Sequence, residues 1–561
     1  MTLGCGASGP QNPAAGDAAP ADLVILNGRV FTADAAGTMA EAVAVRGDRI
    51  VRVGTNEEVS ALRGPDTHLV DAHGGTVAPG FNDAHVHFIG GGFALGQVDL
   101  AGLTALDAVQ AAIRTFAASH AGVGWVEGRG WLYAPFPGGS PTRQQLDAVV
   151  AARPAVMSCY DGHSIWVNTR ALEAAGITRE TPDPPNGAIV RDPATGEATG
   201  HLKESAADLV RAVMPVPTVA DRRAALDAAI GHANQFGITS IQNAGDAQED
   251  LPIFEAAYSA GALQVRSYLA FSASGTTTEP EVEGWEADRA RLADDPVLKL
   301  GIVKIFADGV IESRTASMLE PYTGVAARGD MNMSPEVLTT LVTMLDRRGW
   351  QVQIHAIGDR AIRASLDAFE HAAAVNPAPA RGRRHRIEHI EAIAEADVAR
   401  FGALGVIASQ QPMHVALGDM NMEQPHGPWP DNLGPERFAR AWAWRRIQAA
   451  GGRLAFGSDW PVAPLEAGQG IWLASTRVSL PGGVSQAMPV GDVIRAYTSG
   501  PAYASFEDSR KGQLAAGMLA DIVVLAGDIV AEPPGTPTGV VVDTTVFNGR
   551  VVYERQASTA P

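Results

Sequence analysis

The chain has 561 residues, of which 46% are hydrophobic and 19% charged, so it can build a large core and is not globally disordered. Its 43 basic and 62 acidic residues give a net charge of -19, which disfavours nucleic acid and anionic membranes as partners. Two cysteines, Cys5 and Cys159, exclude a disulfide scaffold, and no run of eighteen apolar residues predicts a transmembrane segment.

Residues 1–21 are expected to form a disordered tail, because they are rich in Ala, Gly and Pro and show no hydrophobic periodicity. Residues 3–8 (LGCGAS) resemble the end of a bacterial lipoprotein signal, although its charged and apolar parts are missing. As written, the chain is expected in the cytoplasm. If the N-terminus is truncated, the alternative is a periplasmic or membrane-anchored lipoprotein attached through Cys5.

Beyond the tail, both ends of the chain carry short hydrophobic strands separated by turns. Strands are predicted within residues 23–31 and 42–54, and again within residues 520–525 and 540–553. We therefore predict that residues 22–75 and 506–561 together form one small β-sandwich domain.

Residues 76–505 alternate strand and helix patterns, which is typical of parallel β/α units. Eight strands are predicted, the first beginning at Thr76 and the others at residues 238–241, 265–270, 300–306, 351–355, 385–389, 406–410 and 453–457. The fold class is therefore α/β, with a (β/α)₈ barrel of the TIM type, whose sites lie at the carboxyl ends of the strands. An insertion of about residues 90–215 follows the first strand and is expected to act as a lid or substrate subdomain.

Side chains with metal-binding chemistry stand at the carboxyl ends of five of these strands. They are His85, His87, Lys304, His355, His389 and Asp459. His85 and His87 point to the same side because strand side chains alternate, and neutral imidazole binds zinc, iron and nickel. Each residue alone has an ordinary explanation, such as core packing for a histidine or a helix cap for the aspartate. A lysine inside an apolar strand, however, needs a partner or a function.

Together these segments resemble the metal-dependent amidohydrolase superfamily. Within it the closest resemblance is to the amidohydrolase-3 group of YtcJ-like proteins, which includes N-substituted formamide deformylases. The motifs that carry the resemblance are residues 79–87 (PGFNDAHVH), 303–309 (VKIFADG), 355–359 (HAIGD), 386–389 (RIEH) and 457–461 (GSDWP). The resemblance extends over about residues 22–555. One departure is Gln242, near the end of the second strand, where members often carry His or Asp.

The resemblance implies a binuclear centre with two divalent metal ions, expected to be Zn²⁺. Each ion would have two histidine ligands, the first ion His85 and His87, and the second His355 and His389. Lys304 would be carboxylated by carbon dioxide, and its carbamate would bridge the two ions. Asp459 would bind the first ion and act as the catalytic proton shuttle.

The implied activity is hydrolysis of a non-peptide C–N bond, in an N-acyl, N-formyl or cyclic amide, by metal-activated hydroxide. A deaminase or a carbamate or ester hydrolase on the same site is one alternative. A binding lipoprotein without catalysis is another. The expected partner is a small amide with an apolar body, and a homodimer is an open alternative for the assembly.

Substrate contacts are expected from aromatic and polar side chains near the barrel mouth, although core packing explains them equally well. The residues are Trp131, Tyr133, Asp161, His163, Trp166, Tyr322, Gln410, His414 and Trp460.

Overall fold

The structure is a computed structural model that describes residues 19–185, 187–416, 427–477 and 482–556. Cys5 and most of the predicted tail lie outside the described residues. No helix within these ranges is long and apolar enough to cross a lipid bilayer.

Eight parallel strands form a nearly closed barrel in the middle of the chain. In chain order they are β1 (Phe81–Val86), β2 (Ile238–Asn243), β3 (Arg266–Ala273), β4 (Leu298–Phe306), β5 (Gln351–Ala356), β6 (Arg386–His389), β7 (Ile407–Gln410) and β8 (Arg453–Phe456). The segment after β8 returns to β1, where the Asp459 amide donates to the His85 carbonyl at 2.7 Å. The predicted TIM-type barrel is confirmed.

Helices surround the barrel, and one of them begins at a serine and a proline that mark its start in the sequence. Ser334 accepts a hydrogen bond from the Val337 amide and caps the helix Pro335–Arg347, whose buried leucines face the neighbouring helix Asp359–Val375. The other helices of the barrel region are Phe88–Ala94, Val219–Gln235, Ala247–Ser259, Glu279–Arg291, Glu395–Leu404, Pro428–Leu433, Pro435–Phe438, Trp444–Ala449, Ala467–Thr476, Val490–Ala496 and Ser499–Ala504, with a 3₁₀ turn at Pro412–Ala416.

The sequence predicted that the first barrel strand begins at Thr76. In the structure this strand begins at Phe81. Thr76–Pro79 instead pairs with Arg29–Phe31 and Ile522–Leu525 in a sheet of the terminal domain. Gly80 separates the two strands, and a Cβ there would lie 2.2 Å from Thr239 Oγ1, so this close approach requires glycine. One apolar run therefore serves two different sheets.

The chain termini form a small domain of two facing sheets. One contains Ala21–Leu26, Ala42–Arg46, Arg49–Gly54 and Arg63–Asp71, with the short helix Asn56–Ser60. The other contains Arg29–Phe31, Met39–Ala40, Thr76–Pro79, Ile522–Leu525, Val542–Phe547 and Arg550–Glu554. Buried residues from both chain ends, such as Ile25, Val43, Val524 and Val546, share one core.

The insertion after β1 has a six-stranded sheet of its own. Its strands are Val98–Asp99, Val126–Trp131, Ala155–Cys159, Ser164–Val167, Gly187–Arg191 and Ala198–Glu204. Its helices are Leu106–Ser119, Arg143–Asp147, Thr169–Ala174 and Asp208–Arg211, with 3₁₀ turns at Pro137–Gly139 and Ser205–Ala207. Arg129 reaches from this sheet to the carbonyl of Pro461 at 2.8 Å, so the insertion lies against the carboxyl end of the barrel.

Candidate metal centre

Three buried side chains converge at the carboxyl ends of the barrel strands. His85, His389 and Asp459 each place one ligand atom so that all three lie within 4.8 Å of one another. His85 Nε2 lies 3.3 Å from Asp459 Oδ1, and His389 Nδ1 lies 3.9 Å from Asp459 Oδ2. This spacing is what a single cation between them would need.

The other three predicted ligands lie around this group. His87 Nε2 lies 3.5 Å from Asp459 Oδ1, and Lys304 Nζ lies 3.3 Å from His85 Nε2. The ring of His355 is 4.5 Å from that of His389, measured between centroids. The fold therefore brings all six predicted side chains to one place, although they come from distant parts of the chain.

A buried carboxylate orients His85. Glu388 Oε2 lies 2.5 Å from His85 Nδ1, and its other oxygen accepts from Arg386 Nε at 2.5 Å. Burial opposes ionisation of Glu388, but Arg386 and His85 outweigh it and lower the pKa of Glu388 to about 2. The ionised Glu388 holds the proton of His85 on Nδ1, which leaves Nε2 free as a ligand.

A second buried carboxylate fixes the loop that carries Asp459. Asp83 accepts from the Ser458 amide at 3.0 Å and from the Ser458 hydroxyl at 2.5 Å. The same carboxylate accepts from the His85 amide at 3.0 Å. Asp83 thus ties the end of β1 to the loop after β8 and sets the distance between His85 and Asp459.

The protonation states of these groups suit a metal site. Burial lowers the pKa of His87 and of His355 to about 3, so both rings are neutral at pH 7. Burial would raise the pKa of Asp459, but the neighbouring His85 and His389 outweigh it and keep this pKa well below its usual range. The centre therefore offers neutral imidazoles at His87 and His355 and an ionised carboxylate at Asp459, the forms that bind metals.

Unpaired atoms provide a direct test of whether a cation fits. Asp459 Oδ1 and His389 Nδ1 are both buried, and neither has a hydrogen-bond partner among the described residues. Buried polar atoms are rarely left without a partner, because each such atom costs free energy. A metal ion coordinated by these two atoms would satisfy both, so the residues present fit such an ion.

Lys304 is also buried, with only 1% of its surface exposed. Burial lowers the pKa of its ammonium to about 8. Within the part of the chain that the structure describes, no carboxylate forms an ion pair with Lys304, and Asp308 instead accepts from the amides of Ser317, Ile357 and Gly358. An ion pair with Asp308 therefore does not account for the buried lysine.

A cavity of about 110 Å³ opens above the centre. Among the predicted substrate contacts, Asp161, His163 and His414 line it. The others lie elsewhere. Trp131 and Trp166 are buried in the insertion, where their indole nitrogens donate to the carbonyls of Met157 and Thr142.

The remaining predicted contacts have protein partners and do not line this cavity. The Tyr322 hydroxyl donates to the Ala316 carbonyl at 2.6 Å, and Tyr133 donates to Asp161 at 2.8 Å. Gln410 is fully buried, and Trp460 packs against Phe88.

Several cavity residues were not predicted from the sequence. They are Tyr160, Phe306, Val310, Glu312, Ile357, Glu391 and Val462. A signal existed for Phe306, because it stands two positions after Lys304 on the same strand. Side chains two positions apart along a strand share a face. Tyr160 and Glu312 come from loops, where no such periodicity applies.

Comparison with solved structures supports the same architecture. A metal-dependent hydrolase of unknown activity from Pyrococcus horikoshii OT3 superposes with a TM-score of 0.70 at 24% identity. The superposition covers 91% of this chain and 98% of that one. At this level of identity the likeness shows the fold.

Comparison with known sequences identifies the family. YtcJ of Bacillus subtilis (strain 168) is 32% identical over 545 residues, which cover 94% of this chain and 98% of YtcJ. An N-substituted formamide deformylase from Arthrobacter pascens is 28% identical over 550 residues, covering 96% of this chain and 99% of that enzyme. The model of the amidohydrolase family matches residues 68–553, and the chain is therefore a hydrolase of the amidohydrolase family.

Proposed function

We propose that this hydrolase cleaves a non-peptide C–N bond of a small N-acyl or N-formyl amide at a centre of two divalent ions, taken to be Zn²⁺. The observation that carries the proposal is the convergence of His85, His389 and Asp459 below the cavity. The similarity over nearly the whole chain to an N-substituted formamide deformylase supports the choice of bond.

Each residue of the centre has a distinct task in this proposal. His85, His87, His355 and His389 would hold the ions together with Asp459. Bound divalent ions supply polarisation of the substrate carbonyl and a nucleophilic water at neutral pH. Asp459 accepts the proton of that water and passes it to the leaving nitrogen, which is the role of a general base and then a general acid.

Lys304 would join the two ions as a carbamate. Its amine is buried and its pKa lies near 8 because of that burial, so a sizeable neutral fraction exists at neutral pH. The neutral nitrogen adds to carbon dioxide and loses one proton. The product is an anion at a position where an ammonium would repel the metals.

The cavity wall favours an apolar substrate body. The apolar residues that line it, on the side of the barrel and its loops, are Phe306, Val310, Ile357 and Val462. Apolar walls with a few polar groups are typical of small-molecule sites. A benzyl or phenyl substituent on the amide nitrogen would fit this lining.

A substrate panel tests the proposal. The metal-free and Zn²⁺-loaded proteins would be incubated with N-benzylformamide, formanilide, N-benzylacetamide, phenyl acetate and cytosine. We expect release of amine from at least one amide, loss of this activity on chelation and recovery with Zn²⁺. Asp459→Asn should lower kcat by about 10²–10⁴-fold with an unchanged circular dichroism spectrum, because an amide cannot accept the proton.

Two results would contradict the proposal. One is turnover of the ester or of cytosine with none of any amide. The other is a kcat near that of the wild type in metal-loaded Asp459→Asn, which would remove Asp459 from the role of base.

A further inference from the structure

A histidine of the insertion faces the cavity from the side of the substrate. His163 lines the cavity together with the metal-binding residues, and about a quarter of its side chain is exposed there. Its Nδ1 lies 2.9 Å from Glu204 Oε2, and its backbone amide donates to Asp161 at 2.9 Å. Among the described residues nothing hydrogen-bonds to His163 Nε2, so this nitrogen is available to a bound molecule.

Glu204 is itself held from two sides. Its second carboxylate oxygen accepts from the Ser313 hydroxyl at 3.1 Å, and Ser313 belongs to the loop after β4. Its backbone amide donates to the His163 carbonyl at 2.8 Å. Glu204 therefore connects the insertion to the barrel at the point where it contacts His163.

The backbone of Glu204 adopts an unfavourable conformation. Its φ is +49°, in the left-handed region that a glutamate rarely occupies. Such strain persists only where the surroundings impose it, and it is commonly found at functional sites. The side-chain contacts of Glu204 are therefore maintained against a cost in the backbone.

The contact with Glu204 favours the imidazolium form of His163. Burial alone would lower the pKa of His163, but the hydrogen bond and charge of Glu204 outweigh it and raise this pKa above its ordinary value. An imidazolium donates from both ring nitrogens. With Nδ1–H directed at Glu204, Nε2–H remains as a donor toward the cavity.

We infer that His163 donates a hydrogen bond from Nε2 to the substrate carbonyl oxygen as negative charge develops on it. Glu204 is the positioning residue that orients the ring and keeps it cationic. The inference rests on the proposed amide hydrolysis, in which that oxygen gains charge when the carbonyl is attacked. No proton is transferred, and the gain is electrostatic stabilisation of the transition state.

Kinetics of matched variants test the inference. His163→Ala should lower kcat by about 10²–10³-fold, the usual effect of removing one such donor, with KM changed by less than about threefold. Glu204→Gln keeps a hydrogen-bond acceptor but removes the charge, so it should also lower kcat, by at least about tenfold. The double variant should be no worse than His163→Ala, because both act through one group.

The control is Glu197→Gln, in the same insertion. The side chain of Glu197 is half-exposed and lies 3.7 Å from Arg143 in a surface ion pair, so kcat, KM and Tm should stay unchanged. A structural role for Glu204 would instead appear as a lower Tm, with effects on kcat that add to those of His163→Ala. Additive effects, or changes confined to KM and Tm, would overturn the inference.

A binding measurement keeps this test separate from the proposed reaction. Phenylphosphonate is a tetrahedral anion with an apolar body, and its affinity for the Zn²⁺-loaded protein can be measured by calorimetry. Affinity should fall at least tenfold in His163→Ala and in Glu204→Gln and stay unchanged in Glu197→Gln. Equal affinity in all variants, or no binding to the wild type, would overturn the inference. If no amide is hydrolysed, the proposed function fails, while the phosphonate result still decides the role of His163.

Discussion

Lys304 is an uncommon lysine, because the barrel buries it almost completely and no described carboxylate pairs with it. Its Nζ lies beside His85 Nε2, at 3.3 Å, where a cation would compete with the metal for the same lone pair. Conversion to a carbamate removes this conflict and supplies two oxygen ligands. Substitution of Lys304 is therefore the clearest test of a binuclear centre.

Under the proposed binuclear centre, Lys304→Ala should lose at least one of the two metal ions and lower kcat by more than about 10²-fold, because the variant would lack the bridging anion. Metal content would be measured by elemental analysis, and formate or acetate should partly restore both properties by filling the vacated space. Lys299→Ala is the matched control. Lys299 stands on the same strand, but its Nζ donates to the Ser505 carbonyl at the other end of the barrel. A single metal equivalent in the active wild type, or full metal content in Lys304→Ala, would favour a mononuclear site.

At the residue scale, the convergence of the six candidate ligands could be predicted, because the carboxyl ends of the strands of a barrel lie close together. Their supporting groups could be predicted only in part. Glu388 is next to the candidate ligand His389 in the sequence, but its partner in the fold is His85, 303 residues away. Asp83 gave no signal, since its role depends on Ser458, which only the closed barrel brings near. Long-range pairs of this kind leave no periodic trace in a sequence.

At the scale of elements, two residues of the insertion that are close in sequence have different surroundings in the fold. His163 faces the cavity, whereas Trp166 is fully buried and donates to the Thr142 carbonyl at 2.8 Å. His163 lies in the turn just before the strand Ser164–Val167, whereas Trp166 lies within that strand, so the two side chains have different surroundings. A tryptophan such as Trp166 can contact a substrate or pack in a core. Its residue type alone could therefore not distinguish these two roles.

Trp166→Ala should lower the free energy of unfolding by about 3–5 kcal/mol, the usual cost of removing a buried tryptophan. Urea denaturation would measure this loss, and kcat of the folded fraction should stay within about threefold of the wild type. Trp125→Ala provides a comparison in the same insertion, where a partly buried ring should cost less. Unchanged stability together with a large rise in KM would show that Trp166 contacts the substrate instead.

Strand boundaries were the least predictable elements. The run from Thr76 to Val86 reads as one hydrophobic strand, yet Gly80 divides it between the terminal domain and the barrel. The start of the helix Pro335–Arg347 is easier to recognise in a sequence, because a serine cap and a proline mark it.

At the scale of the whole molecule, a buried ion pair joins the barrel to the terminal domain. Arg266 on β3 donates to both oxygens of Asp521, at 2.5 and 2.9 Å, and also to Asn548 at 3.0 Å. Both partners of the ion pair are at most 5% exposed. Removing one partner of such a pair leaves an uncompensated charge in the interior.

Asp521→Asn should therefore lower the free energy of unfolding by about 3–5 kcal/mol. Asp543→Asn is the matched control, since its pair with Arg555 is half-exposed and should be worth less than about 1 kcal/mol. Urea denaturation followed by tryptophan fluorescence would measure both. An equal loss in the two variants would contradict a special role for the buried pair, and a second transition in Asp521→Asn would show that the two domains unfold separately.

The joining of Asp83 to Ser458 has a consequence for the order in which the protein matures. These two residues are 375 positions apart, and the metal ligands on either side of them meet only when the loop after β8 reaches β1. During synthesis, a ribosome releases the β1 histidines long before Asp459 exists. The emerging chain therefore passes through most of its translation before Asp459, the last of the six candidate ligands, is made. Closing so long a loop is entropically costly, and a cation that binds only the closed form favours it by mass action. The supply of the proposed divalent ion would then influence how much newly made protein reaches the native state.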